Sequence, residues 1–275
     1  MGPVARRMVR TSRPTHRLII LDMNAIKTPV PSRQKGFNRA EIVDQNFTEF
    51  VQAWQGDAAS KPRDNEPVLP GSACSARDFH EMLESQLISR HLDLMARVLR
   101  VQNKVFYTIG SSGHEGNAMV ARLTRHTDPA FLHYRSGAFM AERFRKLPGM
   151  DPVMDSALSF AASKEDPASG GRHKVWGSKP LWVLPQTSTI ASHLPKALGT
   201  AIAIEQAQRI GHALPVPNDS IVVCSFGDAS SNHATAQTAF HVRVTLSIGA
   251  IWRTPWSSGP TGVAGRPSTW ISAVG

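Results

Sequence analysis

Apolar positions fall into two kinds of pattern along this chain. From Asp78 to Asn103, Met82, Leu83, Leu87, Leu94, Met95, Val98 and Leu99 recur at helical spacing with charges between them. That predicts one long amphipathic helix with these residues on its inner face, and its arginines and His91 on the solvated one. A second helix is predicted to run through Ile210, burying Leu194, Ala197, Leu198, Ala201 and Ile202. Ser192 is its expected N-cap, Pro195 falls in its first turn and Gly211 stops it. His114 and Glu115 open a further helix reaching about Leu123, where an acid in the first turn complements the dipole. Short apolar runs at Val105–Ile109, Leu181–Leu184 and Ile221–Phe226 have strand character instead. The last, rich in β-branched residues, suits a strand buried on both faces of a parallel sheet.

That last run stops at Gly227-Asp228, and the small polar residues Ala229 to His233 lead into a predicted helix from Ala234 to Phe240. A strand that delivers an acid to its carboxyl end before a helix is where open α/β sheets bind phosphorylated ligands. The acid can hold magnesium and the helix start can receive phosphate oxygens; a plain Gly-Asp turn is the alternative. Three other stretches carry similar hints. Tyr134 and Arg135 follow the apolar Phe131-Leu132, so the guanidinium can make a bidentate phosphate contact or pair with a surface acid such as Glu142. Residues 164–180 read as a long loop in which Arg172, His173 and Lys174 face an anion or are solvated. Thr187, Ser188, Thr189 and Ser192 place four hydroxyls in six residues, more than one helix cap requires.

Charge changes the picture only once it is located. The net charge is +10, but residues 1–35 hold eight Lys/Arg and one acid, and residues 229–275 hold three arginines and no acid. Residues 36–228 hold 20 basic and 20 acidic side chains, so the body has no basic patch and nucleic acid is not an expected partner. No apolar run is long enough to span a bilayer, so no membrane association is expected either. Two cysteines, Cys74 and Cys224, make no disulfide framework and suit a reduced, cytoplasmic setting. Residues 1–72 divide into an Arg-rich, acid-poor stretch through Lys35 and a Pro-containing linker at 55–72. The first is a targeting peptide or a tail, and its four prolines favour the tail.

Taken in order, five motifs line up: Gly-His-Glu at 113–115, Tyr-Arg at 134–135, Gly-Gly-Arg-His-Lys at 170–174, Thr-Ser-Thr-Ile-Ala-Ser-His-Leu-Pro at 187–195 and Gly-Asp-Ala-Ser-Ser-Asn at 227–232. In order and spacing, about residues 75 to 240 resemble the alpha chain of the thiamine-diphosphate-dependent decarboxylating component of 2-oxo acid dehydrogenase complexes. The branched-chain (2-oxoisovalerate) type is closest, including forms that join alpha and beta regions in one polypeptide. The resemblance implies an α/β thiamine-diphosphate-binding fold, a mostly parallel sheet with flanking helices, incomplete at its C-terminal end. It implies a tail and linker at 1–72, a partial alpha-type domain at 73–240 and an aberrant tail at 241–275.

By position, the resemblance implies that Tyr134 and Arg135 hold the diphosphate and that Ser188 contacts the aminopyrimidine. Ile190 would be the apolar wedge that bends the cofactor. Gly227 belongs to the same motif, Asp228 would ligate Mg2+, and Ala229 and Ser230 would meet the diphosphate through their backbone. Thr187, Thr189, Ser192 and His193 match a potassium site of some members. His193 replaces a glutamine there, so potassium is not expected. The implied reaction is oxidative decarboxylation of a 2-oxo acid, with the acyl group passed to lipoamide. The implied partners are a beta-type subunit or region that completes the site and the lipoyl-bearing acyltransferase of the complex.

The departures are as specific. The family places a metal-ligating asparagine about one helix and one strand beyond the acid, whereas residues 251–260 hold none and do not read as a buried strand. From His241 onward there is no Asp, Glu or Lys, and Trp252, Trp256 and Trp270 appear. A frameshift shortly after Phe240 accounts for this better than a divergent tail. No catalytic residue is therefore expected on this chain, and alone it is not expected to be a competent enzyme. A catalytically inactive remnant or partner-binding fragment is the alternative. A nicotinamide enzyme is disfavoured, since no Gly-x-Gly-x-x-Gly follows a strand.

Overall fold

The computed structural model describes residues 39–56, 62–245, 250–252 and 267–274, in two compact units divided between Lys61 and Pro62. In the first, helix α1 (Arg39–Ala53) leaves Phe47, Phe50 and Trp54 exposed. The sequence pattern did not predict it. The expected tail at 1–35 and residues 253–260 of the expected asparagine window lie outside the described residues.

The second unit runs through α2 (Ala76–Val101), α3 (Asn117–Leu123), β1 (Ala130–Phe131), α4 (Gly137–Phe144) and α5 (Pro152–Phe160). It continues with β2 (Trp176–Ser178), β3 (Val183–Gln186), α6 (Leu194–Arg209), β4 (Val222–Gly227), α7 (Ala234–Thr245), β5 (Ala250–Trp252) and β6 (Pro267–Val274). The strands form one sheet in the order β2-β3-β1-β4-β6-β5. β3, β1 and β4 are parallel, with Ala130 opposite Val183 on one side and Val223 on the other. β2 joins β3 antiparallel, so the β2-β3-β1-β4 portion is mostly parallel, and β6 and β5 extend it antiparallel.

Strand side chains alternate between the two faces. Phe131, Val222, Cys224 and Phe226 pack with Leu194, Ala197, Ala201 and Ile204 of α6 and Ala236 and Ala239 of α7. Ala130, Leu132, Val183 and Val223 pack with Ala121 of α3 and Phe139, Met140 and Phe144 of α4. Covered on both faces, β4 has no polar alternation to keep, and its apolar run is broken only by Ser225, itself buried and hydrogen-bonded to Asn117. Each fully buried Phe contributes about 1.5–3 kcal/mol through removal from water. Cys74 and Cys224 are both buried and free. No helix among the described residues is long and apolar enough to cross a membrane.

The long helix forms where its periodicity predicted, with a Ser75–Asp78 capping box at its start. It is turned, however, from the face expected. Leu83, Met95 and Val98 are exposed, while Ser85, Ser89, Asp93 and Ala96 are buried with Met82. Close approach to α4 is the reason: a Cβ added at Gly137 would lie 2.3 Å from Ser89 Oγ. Only small residues fit that seam, and their polar atoms find partners across it. Ser85 Oγ donates to Glu142 Oε2 at 2.7 Å and Ser89 Oγ to Ser111 Oγ at 2.9 Å.

Other expectations shift more. Val105–Ile109 is not a strand; Val105 instead packs with Ala96 and Phe160 in a small satellite cluster. The helix expected from His114 starts at Asn117, because Glu115 Oε2 accepts from Gly113 N at 2.7 Å and holds a turn there. The loop at 164–180 contains β2. His193, not Ser192, occupies the α6 N-cap, while Ser192 Oγ donates to the Thr189 carbonyl at 3.0 Å. Residues 251–252 belong to the short edge strand β5.

Candidate functional site

The chain leaves β1 for α4 on one face of the sheet and leaves β4 for α7 on the other. β1 and β4 are neighbours, so a crevice opens between their carboxyl ends. That divergence is the topological switch point at which open α/β sheets place ligands. Tyr134-Arg135 follows β1 on one side of the crevice and Gly227-Asp228 ends β4 on the other. The segment after β3, Thr187 to Ile190, reaches the same edge.

His133 is the hinge of this arrangement. It is buried, its ring stacks on His114 with centroids 4.5 Å apart, and it lies 3.9 Å from the Tyr134 ring. The Arg135 backbone N–H donates to His133 Nδ1 at 3.3 Å, so Nδ1 is the acceptor and the neutral ring carries its proton on Nε2. Burial pushes the His133 imidazole down to about 3, with His114 and Arg135 adding to the effect. Burial and Arg135 lower His114 to about 4, against a partial upward pull from Asp228. Gly227 lies beside this pair, where an added Cβ would make ordinary contact with His133 Nε2 at 3.4 Å.

These two histidines make stability depend on pH. Their folded values lie below the unfolded value of about 6.5, so protons bind the unfolded chain more tightly. Their contribution is complete above about pH 6.5 and is lost as pH falls toward the folded values. The urea midpoint is therefore expected to drop between pH 7 and pH 5, and His133→Asn to flatten that slope while keeping an acceptor for Arg135 N–H. An unchanged slope in the variant refutes the assignment.

Arg135 does not pair with Glu142. Glu142 is fully buried against Arg122, Arg145 and Ser85, and is no surface acid. Arg135 Nη1 donates to the Gly110 carbonyl at 2.8 Å, its guanidinium lies 5.1 Å from the Tyr134 ring centroid, and among the described residues it makes no ion pair. Across the crevice Asp228 is exposed, and among the described residues its carboxylate accepts one bond, a local one from Ala229 N–H at 2.8 Å. Ala229 is exposed and Ser230 buried, both in a short 3-10 turn at Asp228–Asn232 that separates the acid from α7. The helix therefore does not start directly after the acid.

On the third side, Ser188 N–H reaches His173 Nε2 at 3.4 Å. Burial pushes the Tyr107 phenol above its usual range, and neighbouring Ser188 offsets this in part. The two hydroxyls do not reach hydrogen-bond geometry. Ile190 is 45% exposed, an apolar side chain held at the rim, and the buried Ala191 beside it adopts φ 61°. Left-handed backbone at a non-glycine residue costs energy, and such residues concentrate at functional segments. His193 Nε2 donates to the Ser225 carbonyl at 2.8 Å, leaving a buried Nδ1 without a hydrogen-bond partner.

The topology places Tyr134 and Arg135 just after β1 and Gly227, Asp228, Ala229 and Ser230 at the end of the neighbouring parallel β4, with Ser188 and Ile190 on the segment after β3. Several members were not legible as site residues. His114 read only as part of a motif, and His133 and Gly110 carried no reading of their own; Lys174 is buried rather than solvated. Only the glycine and histidine density near 110–114 hinted at a crowded turn. No group of three or more His, Cys, Asp or Glu that could hold a metal by itself occurs among the described residues. No protein-family model and no curated protein matches this chain.

Proposed function

We propose that the crevice is the diphosphate- and magnesium-binding half of a thiamine diphosphate site. The chain would then be an alpha-type fragment of a 2-oxo acid dehydrogenase, of the branched-chain type. The observation that carries this reading is the pairing of opposite charges across the switch point. A guanidinium without a carboxylate partner among the described residues lies on the β1 side, and an exposed carboxylate on the β4 side.

The donor set fits the group. Magnesium takes one or two protein carboxylates and completes its octahedron with phosphate oxygens and water, so a lone Asp228 suffices where the ligand brings its own phosphates. Arg135 offers donors in a fork suited to a phosphate. Gly227 presents bare backbone at the end of β4, and Ile190 offers an exposed apolar edge. Tyr134 adds an aromatic wall, and the neutral His114–His133 pair brings no further charge to the crevice. When bound, thiamine diphosphate supplies the electron sink for decarboxylating a 2-oxo acid. In this reading the residues here bind and orient, and the beta-type partner would supply the group that exchanges a proton with substrate.

Calorimetry tests this directly. Thiamine diphosphate is expected to bind with magnesium and not in its absence, and Asp228→Ala is expected to abolish the magnesium-supported binding. No heat at millimolar cofactor with magnesium overturns the reading.

A further inference from the structure

The most unusual side chain in the molecule is Lys174. It is 6% exposed and makes no ion pair among the described residues. Its Nζ sits 3.5 Å from the Trp176 ring centroid, 4.8 Å from that of Tyr107 and 5.4 Å from that of Phe160. Aromatic faces stabilise a desolvated cation by about 2 kcal/mol, well short of the cost of burying an ammonium alone. Among the described residues its one hydrogen bond goes to the Tyr134 carbonyl at 3.3 Å, where Trp176 Nε1 also donates at 2.9 Å. Two donors from one segment thus converge on the carbonyl that immediately precedes Arg135.

Resting on the proposed function, we propose that Lys174 is a positioning residue that clamps the Tyr134–Arg135 turn for an anionic, phosphate-bearing ligand, whose charge compensates the buried ammonium. Burial lowers its ionisation to about 7, with Asp93 pulling the other way. The titratable and charged groups facing it are Asp93 from α2, Tyr107 from the segment after α2, and His133 from the turn after β1. α5 and β2 contribute only Phe160 and Trp176. His133 titrates near 3, well below the window in which Lys174 changes charge. A nearby anion favours the charged ammonium, so ligand binding and proton uptake reinforce one another.

The test uses the full chain, magnesium thiamine diphosphate, and the variant Lys174→Met, which keeps the stem in its slot and removes the charge. Affinity is measured by calorimetry from pH 6.5 to 8.5. The wild type is expected to bind more weakly as pH rises, by up to about tenfold for each unit by which the ligand raises the lysine's ionisation. Lys174→Met is expected to lose that pH-dependent component and to bind about as the wild type does at the alkaline end. If the variant matches the wild type in affinity and pH profile, the positioning role falls while the cofactor reading stands. If the wild type binds nothing, the cofactor reading falls, and the clamp is judged from the ligand-free protein alone. There the Arg135 backbone amide resonance is expected to shift with a midpoint near pH 7 and not to do so in Lys174→Met. A wild-type resonance that stays still overturns the clamp.

Discussion

Arg135→Ala is expected to weaken magnesium thiamine diphosphate binding by about 10- to 100-fold while leaving the thermal midpoint nearly unchanged. Charge-assisted hydrogen bonds contribute about 1.5–3 kcal/mol, which sets that range. The fold should tolerate the loss because the side chain is only half-buried and has one hydrogen bond to give up, to the Gly110 carbonyl. Arg135→Lys is expected to recover part of the affinity, since an ammonium supplies charge but not the planar fork. An alanine variant with unchanged affinity would remove the diphosphate assignment. One that unfolds would mean that the Gly110 contact holds the turn more strongly than a single hydrogen bond implies.

Glu142→Ala is expected to have the reverse profile, costing about 3–5 kcal/mol of stability because it strips partners from buried cations. Glu142 lies wholly inside, 2.9 Å from Arg122 Nε and 3.5 Å from Arg145 Nε, and accepts from Ser85 Oγ. The Arg122 contact is close but poorly aligned, so it attracts electrostatically without counting as a hydrogen bond. Arg122 also pairs with Glu81 and Asp78, which ties α2, α3 and α4 into one network. Glu142→Gln keeps the volume and the Ser85 bond and is expected to lose less. Urea unfolding at neutral pH measures both, and a loss under about 1 kcal/mol for alanine would show that the three helices hold together by packing alone.

What the sequence made legible was the periodic part of the fold and the residues at strand ends. β4 was readable because a mostly apolar run opening on Ile221, Val222 and Val223 is what a doubly covered strand requires, and α6 because its apolar stripe and Gly211 agree. α2 was legible as a helix but not in its orientation, since burial there follows the size of Ser85 and Ser89 rather than hydrophobicity. α4 went unseen because it is only eight residues long and buried throughout, so that Glu142 and Arg143 lie inside where a charged pair reads as solvated. Asp228 and Arg135 stood out because strand-end acids and arginines are few. Lys174 did not, because a lysine in a Gly-rich, charged segment looks solvated until Trp176, Tyr107 and Phe160 are seen to close around it. β1 is two residues long, too short for any pattern to register.

The opposite edge of the sheet has a consequence of its own. Arg143, fully enclosed and lowered to about 10 by burial, donates to the carbonyls of Arg125 and Asp128, and Asp128 in turn accepts from Ile221 N–H at 3.3 Å. These contacts fasten the starts of β1 and β4 to each other at the edge remote from Arg135 and Asp228. Strand alignment is thereby settled before the chain reaches its functional turns. Those turns can then exchange residues, lengthen or change their ligand without moving the strands that carry them. Mutational drift in such a chain would erode its chemistry long before its architecture, and a copy that had lost its activity could still fold.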